Sequence, residues 1–521
     1  MNHRYKSHRT TRRTFLREGA CASLGLAGLV NALAQLRLIT AAMAQGLSSP
    51  SYKALVCLFL NGGNDSNNLL IPAGDPASDP LRADYERGRS ILAIPHESLH
   101  SIAVPENTEA FKRHHGNLLP AMGIHPLAPE LAGLFDAGDL AFICNVGTLA
   151  YPVPSRQDYL DRAVPLPIQL FSHLDQISQW QSSVADKPTT SGWGGRAAEL
   201  LHASYNDPAS SKVSMSISLD GMSSFQTGTA GDLIQYIVRP DGSLSLSGFD
   251  QFANDGIPYD AAINPDGSYK NTDPGKRLKC FDDIMHQAHS NLHEEAYCEI
   301  ITRARATEGV IGAALTGSAS SGVDFDGIFS NADTRLGRQL KTVAKLIASR
   351  SILGNNRQIF FCQMSGYDTH QTLLGTHADL LQELAGSMKA FRDALQALGV
   401  WNDVTTFTAS DFNRTFNPNS TDPATAGSDH AWGGHAMVMG GAVRGGRIYG
   451  HFPSLKTGSA EGSVDTGSQR GQWIPDISVD QYSAVLASWM GAGSNELEAI
   501  FPNLHRFDDP FTVASANMNF L

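Results

Sequence analysis

The feature that most constrains the fold is the run Ala54-Leu55-Val56-Cys57-Leu58-Phe59-Leu60, which stops abruptly at Asn61-Gly62-Gly63-Asn64-Asp65. A short unbroken apolar run bounded by Gly and Asn is the pattern of a strand buried on both faces. A parallel sheet covered by helices buries both faces, whereas a half-exposed sheet does not. Three more such runs follow: Leu140 to Val146, Ile359 to Met364 and Val404 to Ala409. Between the last two, Leu380, Leu384, Met388, Phe391, Leu395 and Leu398 recur every three or four residues, and Gly399 ends the series. That is an amphipathic helix with its stop signal. Strand, helix and strand at this spacing predict a right-handed crossover. A second helical stripe, Leu336, Leu340, Val343 and Ile347, leads into the third strand. The expected class is α/β, with a mostly parallel central sheet flanked by helices.

Residues 205–330 read differently. They are rich in Gly, Ser and Asp, with short alternating pieces such as Val213-Ser214-Met215-Ser216-Ile217. We expect a partly β, partly helical insertion there and not a separate domain. No linker divides the chain, and 42% apolar with 17% charged residues is ordinary globular composition. One large domain over residues 45–521 is therefore expected. Cys57, Cys144 and Cys362 sit inside apolar runs and read as buried thiols. Cys280 and Cys298 are the pair left for a disulfide, which their spacing does not demand.

The N-terminus reads as an export signal. A basic start is followed by Thr11-Arg12-Arg13-Thr14-Phe15-Leu16, a weakly apolar stretch from Ala20 to Ala42, and the small-x-small site Ala42-Met43-Ala44. Arg12 and Arg13 mark a twin-arginine signal over residues 1–44, read by the twin-arginine export machinery and cleaved to leave a periplasmic or extracellular protein. No uncharged run reaches the ~20 apolar residues of a membrane span. Residues 1–44 carry seven Lys/Arg and one Glu, so their removal takes the formal charge from −12 to −18. A chain this acidic is unsuited to wrapping nucleic acid or coating an anionic membrane.

Ligands bind beyond the carboxyl ends of strands in open α/β sheets. Four segments meet that description: Asn64-Asp65, Gly366-Tyr367-Asp368-Thr369-His370, Ser410-Asp411-Phe412-Asn413-Arg414-Thr415, and Gly427-Ser428-Asp429-His430-Ala431-Trp432-Gly433-Gly434-His435. Together they would gather carboxylates and imidazoles, the donors a divalent cation takes. Zinc is the first expectation, with manganese, calcium or magnesium as alternatives. Crowded carboxylates also repel unless a cation neutralises them. Singly, each piece has a plainer reading: Asp65 as a turn residue, Asp368 and His370 as helix caps, Asp411 as the ion-pair partner of Arg414. His286, His289 and His293 read as the solvated shoulder of a helix, and His114-His115 as exposed loop. No Walker or dinucleotide glycine loop and no G-x-S-x-G elbow occurs.

The segments FLNGGNDSNNLLIP, FSHLDQISQW, GWGGR, GYDTH, TASDFNRT, SDHAWGGH and GGAVRGGRIYG resemble the bacterial domain of unknown function 1501 family. The resemblance runs from about Ala54 to the stretch ending Phe501-Pro502-Asn503. It implies twin-arginine export and a fold of the alkaline phosphatase/sulfatase superfamily. By that superfamily's logic Asp65, Asp368, His370, Asp411 and His430 or His435 bind metal, with Asp429 beside His430 as a further ligand. Ser172, at a helix N-terminus, is the implied nucleophile, where N–H groups and dipole favour anionic oxygens. Arg414 is the implied clamp on a non-bridging oxygen, and two metals ~3.5–4 Å apart are implied. Phe412 departs from the pattern, because superfamily members carry His there. Unless Asp429-His430 makes up for it, one metal fits better than two. No formylglycine maturation pattern lies near Ser172. The implied function is a metal-dependent hydrolase of phosphate or sulfate esters, its substrate a small molecule or a polymer. The alternative is a non-enzymatic exported protein that binds a surface polymer or a partner protein.

Overall fold

Eight strands carry the main sheet: β1 (Lys53–Asn61), β2 (Leu140–Gly147), β3 (Ser216–Ser218), β4 (Tyr236–Arg239), β5 (Arg357–Ser365), β6 (Val404–Ser410), β7 (Gly434–Gly440) and β8 (Arg447–Gly450). They lie in the order β8-β2-β7-β6-β1-β5-β3-β4, extended at β4 by Gly242–Ser243 and paired at β2 with Ile477–Ser478. The computed structural model describes residues 51–521 except 107, 117, 208, 230–234, 241, 244–260, 265, 286, 288–291, 458–469 and 513–516. The expected signal at 1–44, with Arg12 and Arg13, lies outside the described residues, as do His286, His289 and the side chain of His293.

The sheet is mostly parallel. β1 runs parallel to both β5 and β6, β3 to β5 and β4, and β8 to β2. β7 is antiparallel to both its neighbours. The unbroken apolar run of β1 follows from its central position. Leu55, Cys57 and Phe59 join a core with Trp193, Phe225 and Tyr482, while Ala54, Val56, Leu58 and Leu60 join a second core with Leu340, Leu384 and Phe391. Period-2 alternation thus feeds two cores, one on each face.

Helices cover both faces. Those needed here are α1 (Pro80–Arg89), α2 (His173–Ser182), α3 (Trp193–Tyr205), α4 (Arg335–Ala348), α5 (Leu373–Ala397) and α6 (Val479–Met490). α4 and α5 pack on one side of the sheet, α3 and α6 on the other. α4 starts where the Thr334 hydroxyl accepts from the Gly337 amide, and α6 starts with a capping box of Ser478 and Gln481. α5 joins β5 to β6 with β1 inserted between them.

The expected insertion begins as an extension of this sheet, since β3 pairs with β5 and carries β4 at its outer edge. Cys57, Cys144 and Cys362 are buried free thiols, and no disulfide joins Cys280 to Cys298. Among the described residues, no helix is long and apolar enough to cross a membrane.

Candidate metal centre

Parallel β1, β5 and β6 send their following loops to one sheet edge. Antiparallel β7 begins at that same edge, so the segment before it arrives there too. Gly62 sits at φ +116°, and a Cβ there would stand 2.5 Å from the Asp368 amide nitrogen. Only glycine permits that approach, which presses the end of β1 against the loop after β5. A backbone bridge between Arg414 and His430 ties the last two segments together.

The result is a cluster of side chains around Asp368. Its Oδ1 lies 3.3 Å from His173 Nε2, 3.2 Å from His370 Nε2 and 3.6 Å from His430 Nε2. His370 Nε2 and His430 Nε2 are 2.9 Å apart. The opposite nitrogen of each ring is held from behind. His173 Nδ1 lies 2.7 Å from Asp411 Oδ2, His370 Nδ1 2.9 Å from Asp429 Oδ1, and His430 Nδ1 2.8 Å from the Phe171 carbonyl.

These contacts test whether a cation fits. Carboxylates and a carbonyl can only accept, so each Nδ1 carries its proton and donates. That leaves the Nε2 lone pairs of the neutral rings facing Asp368 Oδ1 and one another, with the Arg414 guanidinium as the N–H donor to that oxygen. His173 Nε2 is buried without a hydrogen-bond partner. A cation satisfies these lone pairs.

The charges around it are balanced. Burial works against the charge on Asp368, but the hydrogen bond and charge of Arg414 hold its carboxyl below the usual carboxylate range. Burial likewise opposes Asp429, and Asn419, His370 and Arg470 hold it low. The hydrogen bond to Asp411 raises His173 above the ordinary imidazole value against burial, whereas burial pushes His430 down.

Of the residues expected from sequence, Asp368, His370, Asp411, Asp429, His430 and Arg414 meet here, and the other three do not. Asp65 is fully buried and ion-paired with Arg89 at the end of α1. His435 is already part of β7, buried, with its Nδ1 accepting from the Asn145 amide at 3.3 Å. The Ser172 hydroxyl donates to Asp175 Oδ2 at 2.6 Å within its own helix end. Arg414 meets the cluster, but four of its five N–H donors are already engaged, so it serves the loops and Asp368 and not a substrate oxygen. It is fully buried, and it donates to the carbonyls of Gly62, Gly63 and Ser428 and to Asp368. Its carboxylate partner is Asp368, not Asp411.

Sequence reading missed His173. The helix N-terminus was legible, but the first helical residue, and not the hydroxyl before it, faces the carboxylates. The signal was present in Phe171-Ser172-His173, an imidazole at the start of the amphipathic run. His114 also departs from the exposed-loop expectation: it is 13% exposed and its Nε2 lies 2.9 Å from Asp476 Oδ2.

Burial pushes the His435 pKa down to about 4. Above the unfolded value of ~6.5 both states are neutral. As pH falls towards 4, the unfolded chain takes up a proton that the folded chain refuses, so stability falls. The full effect is about 3 kcal/mol. His125, also held to about 4, and His377 act in the same direction. Burial pushes the Asp480 carboxyl up to about 7, which acts the other way, so the test is a difference: between pH 4 and 7 His435→Gln is expected to lower the pH slope of stability, read from denaturant midpoints, relative to wild type by about one proton. An unchanged slope contradicts this.

The family described as "Protein of unknown function (DUF1501)" matches residues 52–467. No curated protein matches the sequence. Among solved structures, the crystal structure of Ps i-CgsB in complex with k-i-k-neocarrahexaose aligns over 89% of this chain and 78% of that chain. Its identity is 10% and its TM-score 0.27, too low to argue a common fold.

Proposed function

This chain belongs to the DUF1501 family, and we propose that it is a metal-dependent hydrolase of phosphate or sulfate esters with an alkaline phosphatase-like fold. The observation that carries the reading is the convergence of His173 and His430 Nε2 on Asp368 Oδ1, with His370 Nε2 beside them. A bound divalent cation, zinc by the donor set, supplies Lewis acidity towards an ester oxygen. The chain's own groups hold that position. Asp411, Asp429 and the Phe171 carbonyl fix the three rings, and Arg414 fixes Asp368 and offsets its charge. In this reading residues 1–44 are the twin-arginine signal, and the enzyme works in the periplasm or outside the cell.

The test is a turnover screen on p-nitrophenyl phosphate, bis-p-nitrophenyl phosphate and p-nitrophenyl sulfate, with the protein supplied with zinc or manganese. Hydrolysis of at least one ester, abolished by chelator and restored by metal, is the expected result. A folded, metal-loaded protein that turns over none of them overturns the hydrolase reading in favour of a binding role.

A further inference from the structure

We propose that the cluster is a single-cation centre with three protein ligands, the Nε2 atoms of His173 and His430 and the carboxylate of Asp368, with one position left open for an ester oxygen. Asp411 and Asp429 are then positioning residues and not ligands. The proposal rests on the metal reading above and assigns its ligands and their number.

Three observations carry it. The first is spacing. Ligands ~2.1 Å from a zinc ion at tetrahedral angles stand roughly 3.4 Å apart, and His173 and His430 Nε2 stand 3.3 and 3.6 Å from Asp368 Oδ1, whereas His370 Nε2 is only 2.9 Å from His430 Nε2 and is placed outside the ligand set.

The second is how the other carboxylates are used. Asp411 is fully buried, its Oδ1 accepting from the Gly62 amide at 3.0 Å and its Oδ2 engaged by His173 Nδ1. Asp429 Oδ1 accepts from Asn419 at 3.1 Å and faces His370 Nδ1, while its Oδ2 is paired with Arg470. Asp411 thus stands behind the far nitrogen of a ligating histidine, where a carboxylate fixes the tautomer and raises the basicity, as outer partners of metal sites do.

The third is what occupies the place of a second metal. The Phe412 ring packs against both His173 and His430, with centroids 4.6 Å from each. The ring also borders a cavity of about 20 Å³ that Asn64, Ser66, Ser410 and His435 help line, with room for about one water. Asp65, a carboxylate that a second metal would need, is committed to Arg89.

The experiment is zinc titration of the chelator-treated, otherwise intact chain, followed by elemental analysis after gel filtration. Thermal melting serves as the check on folding. The wild type is expected to hold one zinc per chain. His173→Ala and His430→Ala are each expected to lose it. Asp411→Asn is expected to keep one zinc per chain with affinity weakened about 10–100-fold. Two zinc ions per wild-type chain overturn the single-centre assignment. So does a His173→Ala variant that binds as tightly as wild type, or an Asp411→Asn variant that folds yet loses zinc as completely as His430→Ala. These results leave the metal reading standing. A wild type that binds no zinc, manganese or calcium removes the metal reading itself.

Discussion

Replacing Asp368 with Asn is expected to strip the cluster of its cation and to lower metal-dependent ester hydrolysis roughly 10³-fold, the scale on which preorganised charge at a reacting centre acts. Asp368 is the single anion among the converging groups. Without its charge, three imidazoles and the Arg414 guanidinium would share the site with a dication and no compensating carboxylate in contact with it. Folding is expected to survive. Asp368 is half exposed, and Arg414 keeps the carbonyls of Gly62, Gly63 and Ser428 as acceptors. The stability loss is therefore expected to be about 1 kcal/mol, as for a partly exposed pair. Melting curves and turnover read the two effects separately. A variant with wild-type turnover contradicts the assignment of Asp368 to the centre.

The second large effect is on folding. Asp65 and Arg89 form an ion pair whose side chains are fully buried. Arg89 also donates to Asn68 Oδ1 at 3.1 Å and to the carbonyls of Thr415 and Phe416 at 3.2 and 3.0 Å. It thereby ties the loop after β1 to the loop after β6. Burial raises the Asp65 carboxyl, and the Arg89 charge and hydrogen bond pull it back. Asp65→Asn leaves a guanidinium without its counter-charge in the interior, which is expected to cost about 3–5 kcal/mol. Arg89→Met is expected to cost a similar amount, and Asp65→Asn/Arg89→Met less than the two single losses together. Denaturant unfolding of the four proteins checks this. At low temperature, folded Asp65→Asn is expected to retain its metal, which separates its role from that of a ligand.

The fold was legible because both faces of β1, β5 and β6 are buried, so their sequences are unbroken apolar runs with polar loops at both ends. The stripe from Leu380 to Leu398 likewise reports a helix lying on the sheet. The convergence of four loops followed from strand direction alone. Which side chains enter the centre was less legible, because that depends on partners distant in sequence. Asp65 is drawn away by Arg89, a charged residue at the end of α1 whose own burial no local pattern marks. The donors of Arg414 go mainly to backbone carbonyls, which no side-chain pattern encodes. His430 and His435 lie in one motif, but the second has entered β7, where the pleat and the Asn145 amide set its direction. His173 is the first residue of α2 and Ser172 its N-cap, so the sequence offers both at one helix start and only the fold decides which faces the carboxylates.

His173, His430 and Asp368 are proposed to hold one cation. This assignment is tested most directly by anomalous diffraction at the zinc edge from crystals of the protein purified without chelator or histidine tag. One strong peak per chain is expected, bounded by His173 Nε2, His430 Nε2 and the Asp368 carboxylate. No peak there after zinc is supplied, with the imidazoles joined to Asp368 by protons alone, would contradict it.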